Sequence, residues 1–279
     1  MTPGVPIHDV PANVLPSRKL RFTIFYLLAG AAAIILLFAF LGLTPSSFVV
    51  DFHFVADLAR QMLPPNVALF WTKSAILLSL IETLSMAFLA TILGGALALF
   101  LAFFAATNTT PHPLVRLVAR TLLVMNRSVP NLIVILVLLI AVGIGPFAGM
   151  LALTFGSVGM YGKFFADAIE QSDKGTLESV ESVGSTRLQT IRFAVLPQVM
   201  PSLVANLFYA FDYNLRAAIP LGVFGGGGIG FELAFANGLL HYKDVLAYTI
   251  LIVVMINGME RISDWVRRGI ITQPQLVTK

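Results

Sequence analysis

Five ionisable side chains, Glu82, Lys163, Asp167, Asp212 and Arg216, interrupt long apolar runs, a setting in which charge is costly unless it is paired or faces water. Lys163 and Asp167 stand four residues apart, as do Asp212 and Arg216, so each pair can neutralise itself on one helix face. An arginine also suits an oxyanion through two parallel N–H donors, which makes Arg216 a candidate for a path or gate for an anion, with Glu82 as an alternative partner. Ser128, Asn131 and Asn214 could line the same path, and Tyr209 and Tyr213 either join them or anchor helix ends at the membrane interface. Other chemistry finds no material. There is no cysteine, and His8, His53, His112 and His241 are scattered at no metal-ligand spacing. No G-x-x-x-x-G-K-[ST] phosphate loop occurs. The tract 225–230 contains G-x-G-x-x-G, but it follows an apolar helix instead of a strand. It reads as a flexible turn, with Gly227 and Gly228 near an external gate.

The elements that must position these groups are membrane helices. Of the 279 residues 57% are hydrophobic and only 11% charged, with a mean hydropathy of +0.88, so the chain needs a lipid solvent. At roughly 20 apolar residues per crossing, the length predicts an all-α, polytopic protein with about six transmembrane helices. Residues 1–22 form a proline-bearing cytosolic tail ending in Arg18, Lys19 and Arg21, and residues 23–279 form the transmembrane domain. Crossings are expected at 23–43, 74–106, 129–142, 148–169, 201–220 and 244–259, with a short interfacial helix inside the external segment 44–71. Thirteen basic residues, Arg116, Arg120 and Arg127 among them, fall on the side of the two termini and three on the other. The positive-inside rule therefore places both termini in the cytosol. The net charge of +4 is distributed at the ends of apolar runs, which argues against nucleic acid as a partner.

The most polar internal segment, 170–200, carries the stretch ESVESVGSTRLQTIRFAVLPQ. It reads as a helix bearing Glu178 and Glu181, a bend at Gly184, and a second helix over about 186–195 capped by Ser185 or Thr186. That second helix sets Leu188, Ile191 and Val195 against Arg187 and Arg192. A short amphipathic helix held between two crossings can dock into a groove of a soluble partner, or it can lie on the lipid surface. The pattern alone leaves both readings open.

Residues 178–197 resemble the E-A-A, three residues, G, nine residues, I-x-L-P motif of ABC importer permeases. Glu178, Gly184, Leu196 and Pro197 match at their spacings, while Ser179, Val180 and Ala194 depart from it with small or apolar side chains. A finer resemblance, from about Glu82 to the C-terminus, is to the phosphonate, phosphite and phosphate branch of these permeases. Its landmarks are Glu82-Thr83-Leu84, the Arg127-Ser128-Val129-Pro130 step, Ser157-Val158-Gly159 with Gly162-Lys163, and Asn214-x-Arg216 leading to Gly227-Gly228-Ile229-Gly230.

The resemblance implies a type I ABC importer permease fold in a bacterial inner membrane. It implies a coupling loop in which Glu178, Glu181, Gly184, Arg187, Leu196 and Pro197 meet a cytosolic ATPase subunit. ATP and Mg would then sit on two such partner subunits, with no cofactor and no catalytic residue in this chain. The further partners implied are a second permease copy, as a homodimer, and a periplasmic binding protein that delivers a small phosphorus oxyanion. The competing reading is a secondary transporter of a small anion driven by an ion gradient, which calls for inverted repeats that the sequence does not display. A membrane-embedded hydrolase would need a nucleophile or convergent carboxylates and histidines, and none converge.

Overall fold

The computed structural model describes residues 17–42, 52–72 and 74–271, all of them helix, turn or irregular connection. The chain separates into two units, one ending at Asp57 and the other beginning at Leu58. The first holds α1 (Ser17–Phe40), a largely apolar segment, and the start of α2 (Phe52–Met62), a helix within the segment 44–71 where a short one is expected. Most of the expected tail, and the residues beyond 271, lie outside the described residues.

The second unit begins with the end of α2 and a short turn of helix, α3 (Leu69–Thr72), followed by the 32-residue α4 (Ser74–Ala105), which ends before the proline pair flanking His112. Helix α5 (Pro113–Ser128) starts with proline in its first turn, where a missing N–H costs nothing, and His112 Nδ1 accepts the Leu114 N–H at 3.1 Å. The chain then bends by 87° into α6 (Asn131–Val142). The crossing expected at 129–142 therefore starts as a separate helix after a break. Val129 adopts an extended conformation, as the residue before a proline favours, and Pro130 caps the next helix.

Helix α7 (Pro146–Glu170) is the centre of the fold and packs against α4, α5, α6 and α10. Its 25 residues are long enough to cross a bilayer at about 1.5 Å per residue, yet Gly149, Gly156, Gly159, Gly162, Lys163 and Asp167 make it less apolar than its neighbours. A helix enclosed by other helices needs little lipid-facing apolar surface and gains from small residues that let backbones approach. Thus α4 comes so near that a Cβ on Gly94 would fall 2.5 Å from Ser157 Cβ.

After α8 (Lys174–Ser182) and α9 (Arg187–Thr190), a π-helical turn over Ile191–Val195 leads directly into α10 (Leu196–Leu221). The helix is continuous from Arg187 to Leu221, so the separate second cytosolic helix and the crossing beginning at 201 are both corrected. Pro197 lies inside that continuous helix, directly after the π-helical turn, so its missing N–H falls where the regular ladder is already interrupted.

The chain reverses through the glycine tract into α11 (Gly228–Gly238) and returns as α12 (Tyr242–Ile271), which extends well past the crossing expected at 244–259. Among the described residues four helices are long and apolar enough to cross a membrane, and the bent α5–α6 pair counts as a fifth where it crosses as one broken span.

Candidate functional site: a coupling loop and a cleft at the helix bend

The loop between α7 and α10 is clamped at its base. The Asp173 side chain caps α8 by accepting the Thr176 N–H at 2.9 Å, and the Asp173 N–H donates to Gln198 Oε1 at 2.8 Å, joining the start of α8 to the start of α10. The bonds from Thr176 hold the Asp173 carboxyl below its usual range. Leu177, Ala194 and Val195 are buried with Phe165 and Ile169. Gly184 takes φ +82 with nothing near its missing Cβ, so backbone conformation alone calls for glycine there. Thr186 then caps α9, its N–H donating to Gln189 Oε1 at 2.7 Å.

The apolar face expected from Leu188, Ile191 and Val195 does not form as one stripe. Val195 is buried and Ile191 half-buried, whereas Leu188 is 79% exposed, together with Val183 at 82% and Phe193 at 64%. Glu178, Glu181, Arg187 and Arg192 surround them, also exposed.

At the loop end of α7, just past the crossing expected at 148–169, Glu170 ties three helices. Its Oε1 accepts the Thr107 N–H at 2.7 Å and Arg120 Nη2 at 2.6 Å, while Arg120 Nε reaches Ala105 O at 2.9 Å. Burial pushes this carboxyl up, but the Thr107 bond and the Arg120 charge outweigh it and leave it below the usual carboxylate range.

The charges inside the membrane do not form the expected pairs four residues apart. Asp212 and Arg216 do not pair with each other. Asp212 accepts from Ser263 Oγ at 2.7 Å and Arg267 Nη2 at 3.1 Å, and Arg216 Nη2 reaches Glu260 Oε2 at 2.8 Å, so both tie α10 to α12. Lys163 and Asp167 likewise form no ion pair, although both line a cavity of about 180 Å³ with Arg120 and Arg127.

Glu82 does not meet Arg216. Its Oε2 accepts the Gly228 N–H at 3.1 Å and Thr83 Oγ1 accepts the Ile229 N–H at 2.9 Å, so α4 caps the start of α11, where an anion is favoured. Nor is the glycine tract loose. Gly225, Gly227 and Gly228 take positive φ, and a Cβ on Gly227 would lie 2.7 Å from Pro146 Cδ. The expected flexible turn is a close-packed chain reversal wedged between α4 and the start of α7.

Asn214 is 1% exposed and bridges α10 to Thr91 Oγ1 of α4 at 3.0 Å and Ser157 Oγ of α7 at 2.9 Å. It is a core clasp and lines neither cavity. The Ser128 hydroxyl donates back to Val124 O at 3.0 Å.

Asn131 does line a cleft of about 400 Å³ at the α5–α6 bend, with Asn126, Arg127, Gly156, Tyr213 and Pro220. Sequence pattern places Arg127 in a cytosolic loop and does not single out Asn126. The structure lays both on Gly159, near the middle of α7, and the signal that could have found them is the three-residue spacing of Gly156, Gly159 and Gly162. Among the described residues no group of three His, Cys, Asp or Glu side chains could hold a metal ion.

These features define a polytopic helical membrane protein whose exposed loop continues into a membrane span. Residues 94–272 match the family of binding-protein-dependent transport system inner membrane components, and the chain belongs to that family. It is a permease subunit of an ABC importer, which removes the gradient-driven transporter as a competing reading.

Among its relatives, the phosphite transport system permease protein PtxC of Stutzerimonas stutzeri is 41% identical over 77% of this chain and 77% of that protein. The phosphate-import permease protein PhnE of Mycolicibacterium smegmatis is 41% identical over 80% of this chain, which spans 42% of that longer protein. A solved chain of the methionine ABC transporter MetNI shares the fold at TM-score 0.63 and 18% identity, over 74% of this chain and 99% of that one. A chain of a bacterial alginate importer shares it at 0.58 and 16%, over 89% and 98%.

Proposed function

We propose that this permease carries a small phosphorus oxyanion, a phosphonate, phosphite or phosphate, into the cytoplasm at the expense of ATP hydrolysed on partner subunits. The substrate class rests on the relatives, two of which are named for phosphite and phosphate. The observation that carries the mechanism is the continuity of the exposed loop with α10. Residues 187–221 are continuous helix, with a π-helical turn over Ile191–Val195, so a push on Leu188 or Phe193 is carried into a membrane helix without an intervening loop.

In this reading Glu178, Glu181, Gly184 and Arg187 line the face that the ATPase subunit grips, while Leu196 and Pro197 start the span that it moves. Val183, Leu188 and Phe193 supply the exposed apolar contact such a docking face needs. Two copies of the chain, each offering one loop to one of two ATPase subunits, form the path. ATP and Mg stay on those subunits, both termini face the cytosol, and a periplasmic binding protein delivers the anion. Closure of the ATPases would rock the helix pairs α4–α7 and α10–α12 as rigid bodies.

The test is reconstitution of the chain with its ATPase and binding-protein partners, measuring ATP hydrolysis and uptake with phosphonate, phosphite and phosphate. Hydrolysis stimulated by the loaded binding protein, with uptake of at least one of these anions, is the expected result. Uptake that persists without any ATPase subunit would sink the proposal.

A further inference from the structure

Arg127 and Lys163 differ from the other cations held among the membrane helices. Among the described residues, Arg120 is engaged by Glu170, Arg216 by Glu260, and Arg267 by Asp212 and Asp264. Among those same residues neither Arg127 nor Lys163 finds an ion-pair or hydrogen-bond partner for its side chain, and both are exposed. Their depth makes this costly. A Cβ on Gly159 would lie 2.9 Å from Arg127 Cγ, which puts the arginine stem level with the middle of α7. Gly159 is 11 residues from the loop end of that helix, about 16 Å at 1.5 Å per residue. A guanidinium at that level, with no carboxylate beside it among the described residues of its own chain, has to meet water, a mobile anion or a group of the second copy, because lipid cannot solvate it.

The surroundings suit the anion. Arg127 lies on the shared wall of the 400 Å³ cleft at the α5–α6 bend and the 180 Å³ cavity that leads past Lys163 toward the loop end of α7. Asn126 and Asn131 flank it. Asn126 turns its buried carbonyl oxygen onto Gly159, where no donor meets it among the described residues. Asn131 lies across Gly156 and borders the same cleft. A fork of guanidinium donors beside amide groups matches the geometry of a tetrahedral oxyanion, and no carboxylate lines the larger cleft to repel one. In the smaller cavity Asp167 is the lone lining carboxylate, and there it stands against two unpaired cations.

We propose that Arg127, flanked by Asn126 and Asn131, forms a transient site for a small tetrahedral oxyanion midway across the membrane, and that Lys163 receives the anion on its way to the cytosolic end. The inference rests on the anion-import reading above and assigns its path to the α5–α6 bend in place of Arg216.

The chain has no cysteine, so Arg127→Cys introduces a single thiol into it. In the assembled transporter in proteoliposomes, R127C should import phosphite or phosphate at about a tenth of the wild-type rate or less. Its ATPase should still respond to the loaded binding protein. Treatment with aminoethyl methanethiosulfonate, which restores a cation, should raise import several-fold, whereas the neutral methyl reagent should not; wild-type protein treated alike is the control. R127K should keep much of the rate, and K163Q should lower it by a few-fold.

Import by R127C at the wild-type rate, or equal recovery with the neutral reagent, overturns the assignment. The site can also be read without transport. In lipid-free dodecyl maltoside, millimolar inorganic phosphate or phosphite should slow modification of a thiol placed in the cleft wall by Ala217→Cys with Arg127 intact, and adding R127Q should abolish that protection. Protection that appears only when phospholipid is added assigns the site to a lipid headgroup and also overturns it. Wild-type transporter that imports no phosphorus anion refutes the substrate reading, and protection by soluble anion then decides this one by itself.

Discussion

Arg216 of α10 reaches Glu260 of α12 at 2.8 Å, although Asp212 stands one helical turn before it on α10. Asp212 is itself engaged across the same helix pair by Ser263 and Arg267. Two carboxylate–guanidinium contacts of opposite sense therefore lock α10 to α12, and neither guanidinium is left to greet a substrate.

From this lock, Arg216→Met should destabilise the protein by about 1 kcal/mol if the pair is water-exposed and about 3 kcal/mol if it is sequestered. Arg216→Met combined with Glu260→Met should recover most of that loss and keep anion uptake. Thermal unfolding in detergent and uptake in proteoliposomes check both points. Loss of uptake in a double variant of normal stability would return Arg216 to the transport path.

Two glycines of positive φ should respond differently to alanine. Gly227 has φ +77, and a Cβ there would lie 2.7 Å from Pro146 Cδ, so Gly227→Ala combines backbone strain with overpacking of about 1–3 kcal/mol. Gly184 has φ +82 and open space, leaving only the backbone cost of about 1–2 kcal/mol. Melting curves should thus show a larger shift for G227A. A β-branched residue at position 184 should instead separate ATP hydrolysis from uptake, read as the ratio of anion imported to ATP consumed.

Glu170 should give the protein an acid-sensitive joint. Its carboxyl sits below the usual range, held there by Thr107 and Arg120 against the opposing effect of burial. A depressed carboxyl contributes stability that is complete above the unfolded pKa of about 4.3 and is lost as pH falls through the folded value. Glu170→Gln should lower stability at neutral pH by about 1.5 kcal/mol. It should also flatten the fall in melting temperature between about pH 6 and pH 3.5, measured by scanning fluorimetry at both ends; an unchanged slope would rule the joint out.

Asn214 holds three helices through one buried amide. Asn214→Leu should cost about 0.6–2 kcal/mol, the range for hydrogen bonds between membrane helices. Uptake per correctly folded molecule should stay close to wild type, because the side chain lines neither cavity. A selective loss of uptake at unchanged stability would instead place it on the path.

Apolar run length and composition make the membrane class legible without coordinates, and the family resemblance carried by Glu178, Gly184, Leu196 and Pro197 marks the loop proposed for coupling. These properties are local or periodic along the chain, and lipid imposes them on each helix separately. Residues four apart on a helix also point to plausible partners, and at Asp212 and Arg216 that inference fails, since α12 brings Ser263, Glu260 and Arg267 closer than the helix could bring its own turn. The glycine tract shows the same limit, because a run of glycines permits a flexible turn and a tight reversal alike until Pro146, Thr83 and Glu82 close around it. In the sequence Arg127 counts as one more cytosolic charge. Only the 87° bend and the glycine face of α7 set it level with the middle of α7, with no carboxylate partner among the described residues, because depth and pairing depend on which helices pack together.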